Sequence, residues 1–131
     1  MVVVKDMSFK AGQELKISGK AKEATAFYIE IGHDDDAIAL HFNPRFDSHG
    51  DCNTIVCNSK QGGAWMDEHR ESCFPFQPDE AFKVIITFNN ETFYINLPDG
   101  TMMHFPNRFG DDKFKYIHFG GDAKMHSIKI K

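Results

Sequence analysis

From Ala37 to Phe46 apolar and polar side chains alternate, with Ile38, Leu40 and Phe42 on one parity and His41, Asn43 and Arg45 on the other. A strand sends alternate side chains to opposite faces. The segment is therefore predicted to be a strand with an apolar face and a second face carrying an imidazole, an amide and a guanidinium. Similar short alternations recur along the chain. Leu15 and Ile17 sit between Glu14, Lys16 and Ser18, and Phe27–Ile31 alternates before Gly32–Asp36. Asn53–Asn58, Thr101–Phe105, Lys115–Phe119 and Lys124–Ile130 are further strand candidates, the last with His126, Ile128 and Ile130 on one face and Met125, Ser127 and Lys129 on the other. The clearest hairpin joins Phe82–Phe88 to Glu91–Leu97, with Asn89-Asn90 as a two-residue turn in left-handed backbone.

Turn chemistry separates these runs. Gly19 with the lysines after it, Gly32–Asp36, Asp47–Asp51, Gln61-Gly62-Gly63, Pro98-Asp99-Gly100 and Gly120-Gly121-Asp122 read as connections. The least strand-like interval, Asn107–Lys113, admits a helical turn. No window holds apolar residues at three-and-four spacing, so the reading is ten to twelve short strands and no helix. That pattern predicts an all-β, antiparallel sandwich or barrel, one domain over residues 1–131.

Charge and cysteine content narrow the function. Fifteen Lys and Arg against nineteen Asp and Glu give a formal charge of −4, without a block of like charge. This argues against binding to a nucleic-acid backbone and against electrostatic attachment to anionic lipid. The opening run Val2-Val3-Val4 is interrupted by Lys5 and Asp6, too soon for a signal peptide or a membrane-inserted span. Cys52, Cys57 and Cys73 cannot all pair within the chain and lack zinc-site spacing, so free thiols in a reducing compartment are expected. With no entry signal for secretion, the sequon Asn90-Glu91-Thr92 is expected to be unused.

The densest chemistry lies between Ala37 and Phe76. Trp65, the sole tryptophan, follows Gly62-Gly63 and precedes an almost wholly polar stretch. An indole exposed in that setting covers the C–H face of a pyranose. Asn43, Asn58, Glu68, His41 and Arg45 offer the mixed donors and acceptors that read the hydroxyls of a neutral sugar. An Arg–Glu pair on a surface is a solvated ion pair worth little, but if Glu68 lies between Arg45 and Arg70 its oxygens are pinned and orient a hydroxyl. His41 is expected to present an acceptor nitrogen while a carboxylate holds the other. Trp65 is odd where Glu68 and Arg70 are even, so a break between them is required if all serve one site. His49 and Asp51 are read as shaping the rim.

Other chemistries fit less well. His41, His49 and Asp51 lack the tight ligand spacing of a metal centre, and no cofactor is implied. Neither Asp67 nor Glu71 shares the face of Glu68 as a glycosidase partner would, and Cys57 shares parity with Ile55 like a buried small hydrophobe, so no catalytic residue is expected. A ten-stranded lipid carrier and a protein dimerising through its sheets stay open, but neither uses the His41, Asn43 and Arg45 face.

The segments His41-Phe42-Asn43-Pro44-Arg45-Phe46, His49-Gly50-Asp51, Asn53–Ser59, Gly63-Ala64-Trp65, Glu68-His69-Arg70-Glu71, Phe74-Pro75-Phe76, Leu97–Gly100 and Phe105–Arg108 resemble the carbohydrate-recognition domain of the galectins, nearest the short one-domain type. The resemblance covers essentially the whole chain. It implies a metal-independent, β-galactoside-binding lectin built as a jelly-roll-like sandwich of two antiparallel sheets. His41, Asn43 and Arg45 would then bind the axial 4-hydroxyl of galactose, and Asn58 with Glu68 its 6-hydroxyl. Arg45, Glu68 and Arg70 would reach a second sugar, glucose or N-acetylglucosamine, while Trp65 stacks on the galactose. His49 and Asp51 correspond to outer and supporting positions, and Met66-Asp67 and His69 depart from the pattern at the rim. The resemblance further implies cytosolic synthesis, export without a signal peptide, and a homodimer through the terminal strands near Val2–Met7 and Lys124–Ile130. Such a dimer would crosslink galactose-terminated or lactosamine glycans on glycoproteins and glycolipids.

Overall fold

The computed structural model describes residues 2–21 and 25–131. Twelve strands follow one another: β1 (Val2–Lys10), β2 (Leu15–Ala21), β3 (Phe27–Asp34), β4 (Ala37–Ser48), β5 (Asp51–Gln61), β6 (Ala64–Trp65), β7 (His69–Glu71), β8 (Ala81–Phe88), β9 (Thr92–Asn96), β10 (Met102–Pro106), β11 (Lys113–Gly121) and β12 (Ala123–Ile130). They form two antiparallel sheets. The larger runs β1-β11-β3-β4-β5-β6, with β7 also paired to β5; the smaller runs β10-β9-β8-β2-β12.

The alternating sequence pattern becomes the sandwich interior. Phe9, Phe27, Phe42, Phe93, Phe105, Phe114 and Phe119 are fully buried together with Leu15, Ile17, Ile29, Ile31 and Leu40. Each such side chain contributes roughly 1.5–3 kcal/mol by leaving water. Phe27 of β3 stacks on Phe82 of β8 with centroids 4.8 Å apart, so aromatic contact ties one sheet to the other. Polar members of the same strands are left on the two outer faces.

Four connections differ from the sequence-based expectation. Gly19 lies inside β2, not in a turn: a Cβ there would come within 2.6 Å of the Lys124 carbonyl oxygen, so the residue is small because β12 passes close. Asn89 and Asn90 do not make a left-handed two-residue turn. The last pair is Phe88 with Phe93, and Asn89 closes the longer loop by accepting the backbone N–H of Glu91 and Thr92 at 2.8 and 2.9 Å. Two-residue turns of that kind are instead His49-Gly50, between the pair Ser48 and Asp51, with φ of 50° and 82°, and Gly62-Gly63, between the pair Gln61 and Ala64, with φ of 57° and 79°. Both central residues left-handed is the geometry that suits the twist of a hairpin. Asn107–Lys113 holds a turn at Arg108-Phe109 and no helix.

In β12 the ladder slips between Met125 and Ser127. Met125 therefore packs against the core along with Ile128 and Ile130, although strict alternation opposes them. An extra residue in one strand reverses the parity of everything beyond it.

Candidate functional site

The long strands β4 and β5 supply a flat outer face at the centre of the larger sheet. Across their ladder His41 faces Asn58, Asn43 faces Val56 and Arg45 faces Thr54. β6 folds back on β5, pairing Trp65 with Lys60. The chain then leaves the ladder at residues 66–68 before β7 pairs with β5 again. That interruption brings the odd-numbered indole and the even-numbered Glu68 into one open groove of ≈ 690 Å³, lined by Tyr28, His41, Asn43, Arg45, Asn58 and Trp65 as well as Glu68. His49 also borders it, on the hairpin at its end.

Trp65 is 48 % exposed, an unusual cost for the largest apolar side chain unless something covers it. Its ring stands edge-on to His41, centroids 4.9 Å apart, and the Lys60 ammonium lies 5.1 Å from its centroid. The indole is thus held in place by a ring and a cation yet open to the groove.

The amides beside it are fixed by the backbone. Asn43 is buried; its Nδ2 donates to the Phe27 carbonyl at 2.8 Å, and its Oδ1 accepts from Arg45 Nε at 2.9 Å. Asn58 Nδ2 donates to the Met66 carbonyl at 3.1 Å, which defines the side-chain orientation. Its Oδ1 accepts from the Ser59 N–H at 2.8 Å.

The carboxylate between the two arginines is Asp51, and Glu68 meets Arg70 alone. Arg45 Nη1 donates to Asp51 Oδ2 at 2.8 Å; Arg70 donates from Nη2 to the same oxygen at 3.2 Å and from Nε to Oδ1 at 3.3 Å. Arg70 Nη1 then donates to Glu68 Oε1 at 2.9 Å. Hydrogen bonds first from Arg70, then from Arg45, hold the Asp51 carboxyl below the ordinary carboxylate range. Arg70 and Asp51 stand behind the groove wall and Glu68 forms it. The result is a relay from Asn43 through Arg45, Asp51 and Arg70 to Glu68, in which each charged group fixes the next.

Two contributors escaped the sequence reading. Glu30 of β3 is buried, directly opposite His41 on one side and His118 on the other. Its Oε2 lies 2.6 Å from His41 Nδ1 and its Oε1 3.0 Å from His118 Nδ1. Burial works to raise its pKa, but the contacts with His41 and His118 outweigh that and leave it lowered. An ionised carboxylate only accepts. Both histidines therefore place their hydrogen on Nδ1, and a neutral His41 turns the lone pair of Nε2 outward. The signal in the sequence was a charged residue between Ile29 and Ile31, but its partners come from strands 11 and 88 residues away.

Arg108 is the second. It arrives from the turn after β10, and its Nη1 donates to Ser59 Oγ at 2.9 Å and Asn58 Oδ1 at 3.3 Å. Its Nη2 donates to the Asp67 carbonyl at 2.8 Å, fastening the irregular stretch that carries Met66 and Glu68. Cys57 faces the core, where burial pushes its thiol far up, away from the groove histidines. Cys52, Cys57 and Cys73 are all free. Among the described residues no three His, Cys, Asp or Glu side chains are grouped to hold a metal ion.

Comparison with known proteins adds relatives over almost the full length. The galactoside-binding lectin family model matches residues 1–130. The chain is 50 % identical to a beta-galactoside-binding lectin of Electrophorus electricus, covering 99 % of this chain and 97 % of that one. It is 46 % identical to galectin-1 of Ovis aries over the same shares. Among solved structures, congerin II liganded with lactose and MES superposes with a TM-score of 0.95 at 36 % identity, covering 99 % of this chain and 98 % of that one. CG-16, a homodimeric agglutinin from chicken liver, superposes with a TM-score of 0.96 at 39 % identity over the same shares.

Proposed function

The chain belongs to the galactoside-binding lectin family, and from that premise we propose that it binds β-galactosides in the groove over β4, β5 and β6, without a metal ion and without catalysing a reaction. The observation that carries this reading is the row His41, Asn43 and Arg45, each tied to a fixed partner, beside an indole left 48 % exposed. A galactose laid with its C–H face on Trp65 presents its axial 4-hydroxyl to that row. The hydroxyl donates to His41 Nε2 and accepts from Asn43 and Arg45, so an equatorial epimer loses the match. Asn58 and Glu68 serve the 6-hydroxyl. Arg45, Glu68 and Arg70 extend the contact to a following glucose or N-acetylglucosamine.

Preorganisation is what makes a shallow site effective. The side chains are already immobilised by Glu30, Asp51 and Arg108, so binding does not have to order them. The lactose-liganded congerin II supports the choice of sugar. At the groove Glu68 pairs with Arg70, and behind its wall Asp51 pairs with Arg45 and Arg70, so the arginines hold both carboxylates as hydrogen-bond acceptors.

Two copies pair through the free edges of the sandwich, β1 in the larger sheet and β12 in the smaller. Val3 and Met7, exposed on β1, are covered by that contact. The homodimeric CG-16 supports it. Two grooves then crosslink galactose-terminated or lactosamine glycans on glycoproteins and glycolipids. Three free thiols suit synthesis in the cytosol, followed by release to the cell surface without a signal peptide.

Titration calorimetry with lactose tests the reading, with cellobiose, whose 4-hydroxyl is equatorial, as the control. Saturable binding of lactose alone, unchanged by chelator, is the expected result. Equal binding of both sugars, or none of either, refutes it.

A further inference from the structure

The smaller sheet divides its charge in a way that the galactoside site leaves unexplained. In a chain of net charge −4, none of its strands β2, β8, β9, β10 and β12 contains an Asp or Glu. They do contain Lys16, Lys20, Lys83, Lys124 and Lys129. On the face turned away from the core, Lys16 stands directly across from Lys129, and Lys20 from Lys124. Like charges opposite one another on adjacent strands destabilise a sheet. Among the described residues Lys16 has one ion-pair partner, Glu14 at 3.5 Å, and Lys20, Lys83, Lys124 and Lys129 have none. The fold thus tolerates a repulsion that it gains nothing from.

Beside the Lys16–Lys129 pair the surface is concave. A pocket of ≈ 160 Å³ is lined by Lys16, Ser18, Lys83, Ser127, Lys129 and Lys131. Ser18 and Ser127, opposite one another in the ladder, touch through their hydroxyls at 2.6 Å, so one hydroxyl hydrogen stays available to a ligand. Ammonium groups around a pair of hydroxyls suit a tetrahedral oxyanion, which needs several donors and no fixed plane.

We propose that this pocket is a second binding site, for a sulfate group of an extended sulfated polysaccharide, on the sheet opposite the galactoside groove. The two lysine pairs lie four residues apart along β2, roughly 13 Å at strand rise. A linear polyanion running along the strands therefore meets the pocket at the Lys16–Lys129 pair and further cations at the Lys20–Lys124 pair. A nucleic-acid strand would want aromatic platforms for its bases, and the pocket lining has none. A membrane surface would want an apolar wedge among the cations, and the one apolar residue of the lining, Ile17, is buried at 1 % exposure. The site stands independently of the galactoside reading.

The test is binding of the intact protein to an immobilised heparin-type hexasaccharide at low salt, beside its desulfated form. Wild type binds the sulfated form, loses it steeply as salt rises, and keeps it in excess lactose. Lys83→Glu with Lys129→Glu weakens binding by about tenfold or more while lactose affinity is unchanged. Should that pair fold poorly, Lys83→Gln with Lys129→Gln removes the charge and relieves repulsion, so its melting temperature holds while binding still drops. No binding by wild type, equal binding by the variants, displacement by lactose, or tighter binding of phosphatidylserine vesicles or duplex DNA overturns the proposal.

Discussion

Glu30 receives the Nδ1 hydrogen of His41 at 2.6 Å from the neighbouring strand, and so decides which nitrogen of that ring faces the groove. Without the carboxylate the imidazole is free to place its hydrogen on Nε2 and to oppose, not accept, a sugar hydroxyl. Glu30→Gln is therefore expected to lower lactose affinity by about tenfold, the loss of one hydrogen bond worth roughly 1–1.5 kcal/mol. Long-range ¹⁵N correlation spectra of His41 check the cause: Nδ1–H in the wild type and a mixed or reversed tautomer in the variant. An unchanged tautomer with unchanged affinity removes Glu30 from the site's design.

The same carboxylate sets a pH limit on the fold. Glu30 and Asp51 both have pKa values lowered in the folded state, Glu30 because its histidines outweigh burial and Asp51 through Arg70 and Arg45. A lowered folded pKa means the unfolded chain binds protons first, so the stabilisation is complete above the ordinary carboxylate values of 4.5 and 3.8 and is lost as pH falls through the lowered ones. Thermal melts should show little carboxylate-linked change from neutrality to about pH 5 and a decline below it. In Glu30→Gln the acid decline should be shallower. A decline of equal steepness would assign it to other groups.

The sequence was most readable where strands run without interruption. Between His41 and Phe46 no bulge intervenes, so simple alternation separates Phe42 from Asn43 and Arg45. It misled at Met125, where the slip before Ser127 reverses the face. Turn chemistry favoured Asn89-Asn90, yet side-chain capping by Asn89 makes left-handed backbone unnecessary there, while the hairpin geometry went to His49-Gly50 and Gly62-Gly63. All-β architecture follows from local pattern. The pairing of Asp51 with two arginines, the seat of Glu30 between two histidines and the reach of Arg108 to Asn58 depend on which strands become neighbours, and no single segment encodes that.

Trp65 provides a test that separates ligand contact from folding. Because the indole is 48 % exposed and outside the core, Trp65→Ala should abolish measurable lactose binding and shift the melting temperature by no more than a few degrees. As the only tryptophan it also reports directly, and its emission in the wild type should move to shorter wavelength as lactose displaces water from the ring. Retained binding in the variant would require a site elsewhere.

Asp51 does not line the groove, yet it carries the argument about orientation furthest. It gathers Arg45 and Arg70, and through them Asn43 and Glu68, into one charged chain. Asp51→Asn keeps the shape but loses an acceptor oxygen and the charge, so Arg45, 13 % exposed, is left partly unpaired. The expected cost is about tenfold or more in lactose affinity, close to that of Arg45→Lys, whose ammonium cannot reproduce the guanidinium fork. If the two act in series, the double variant Asp51→Asn with Arg45→Lys loses little more than either alone, which calorimetry on all three resolves. Fully additive losses would mean that Asp51 and Arg45 serve the sugar separately, and that the relay does not govern the pose.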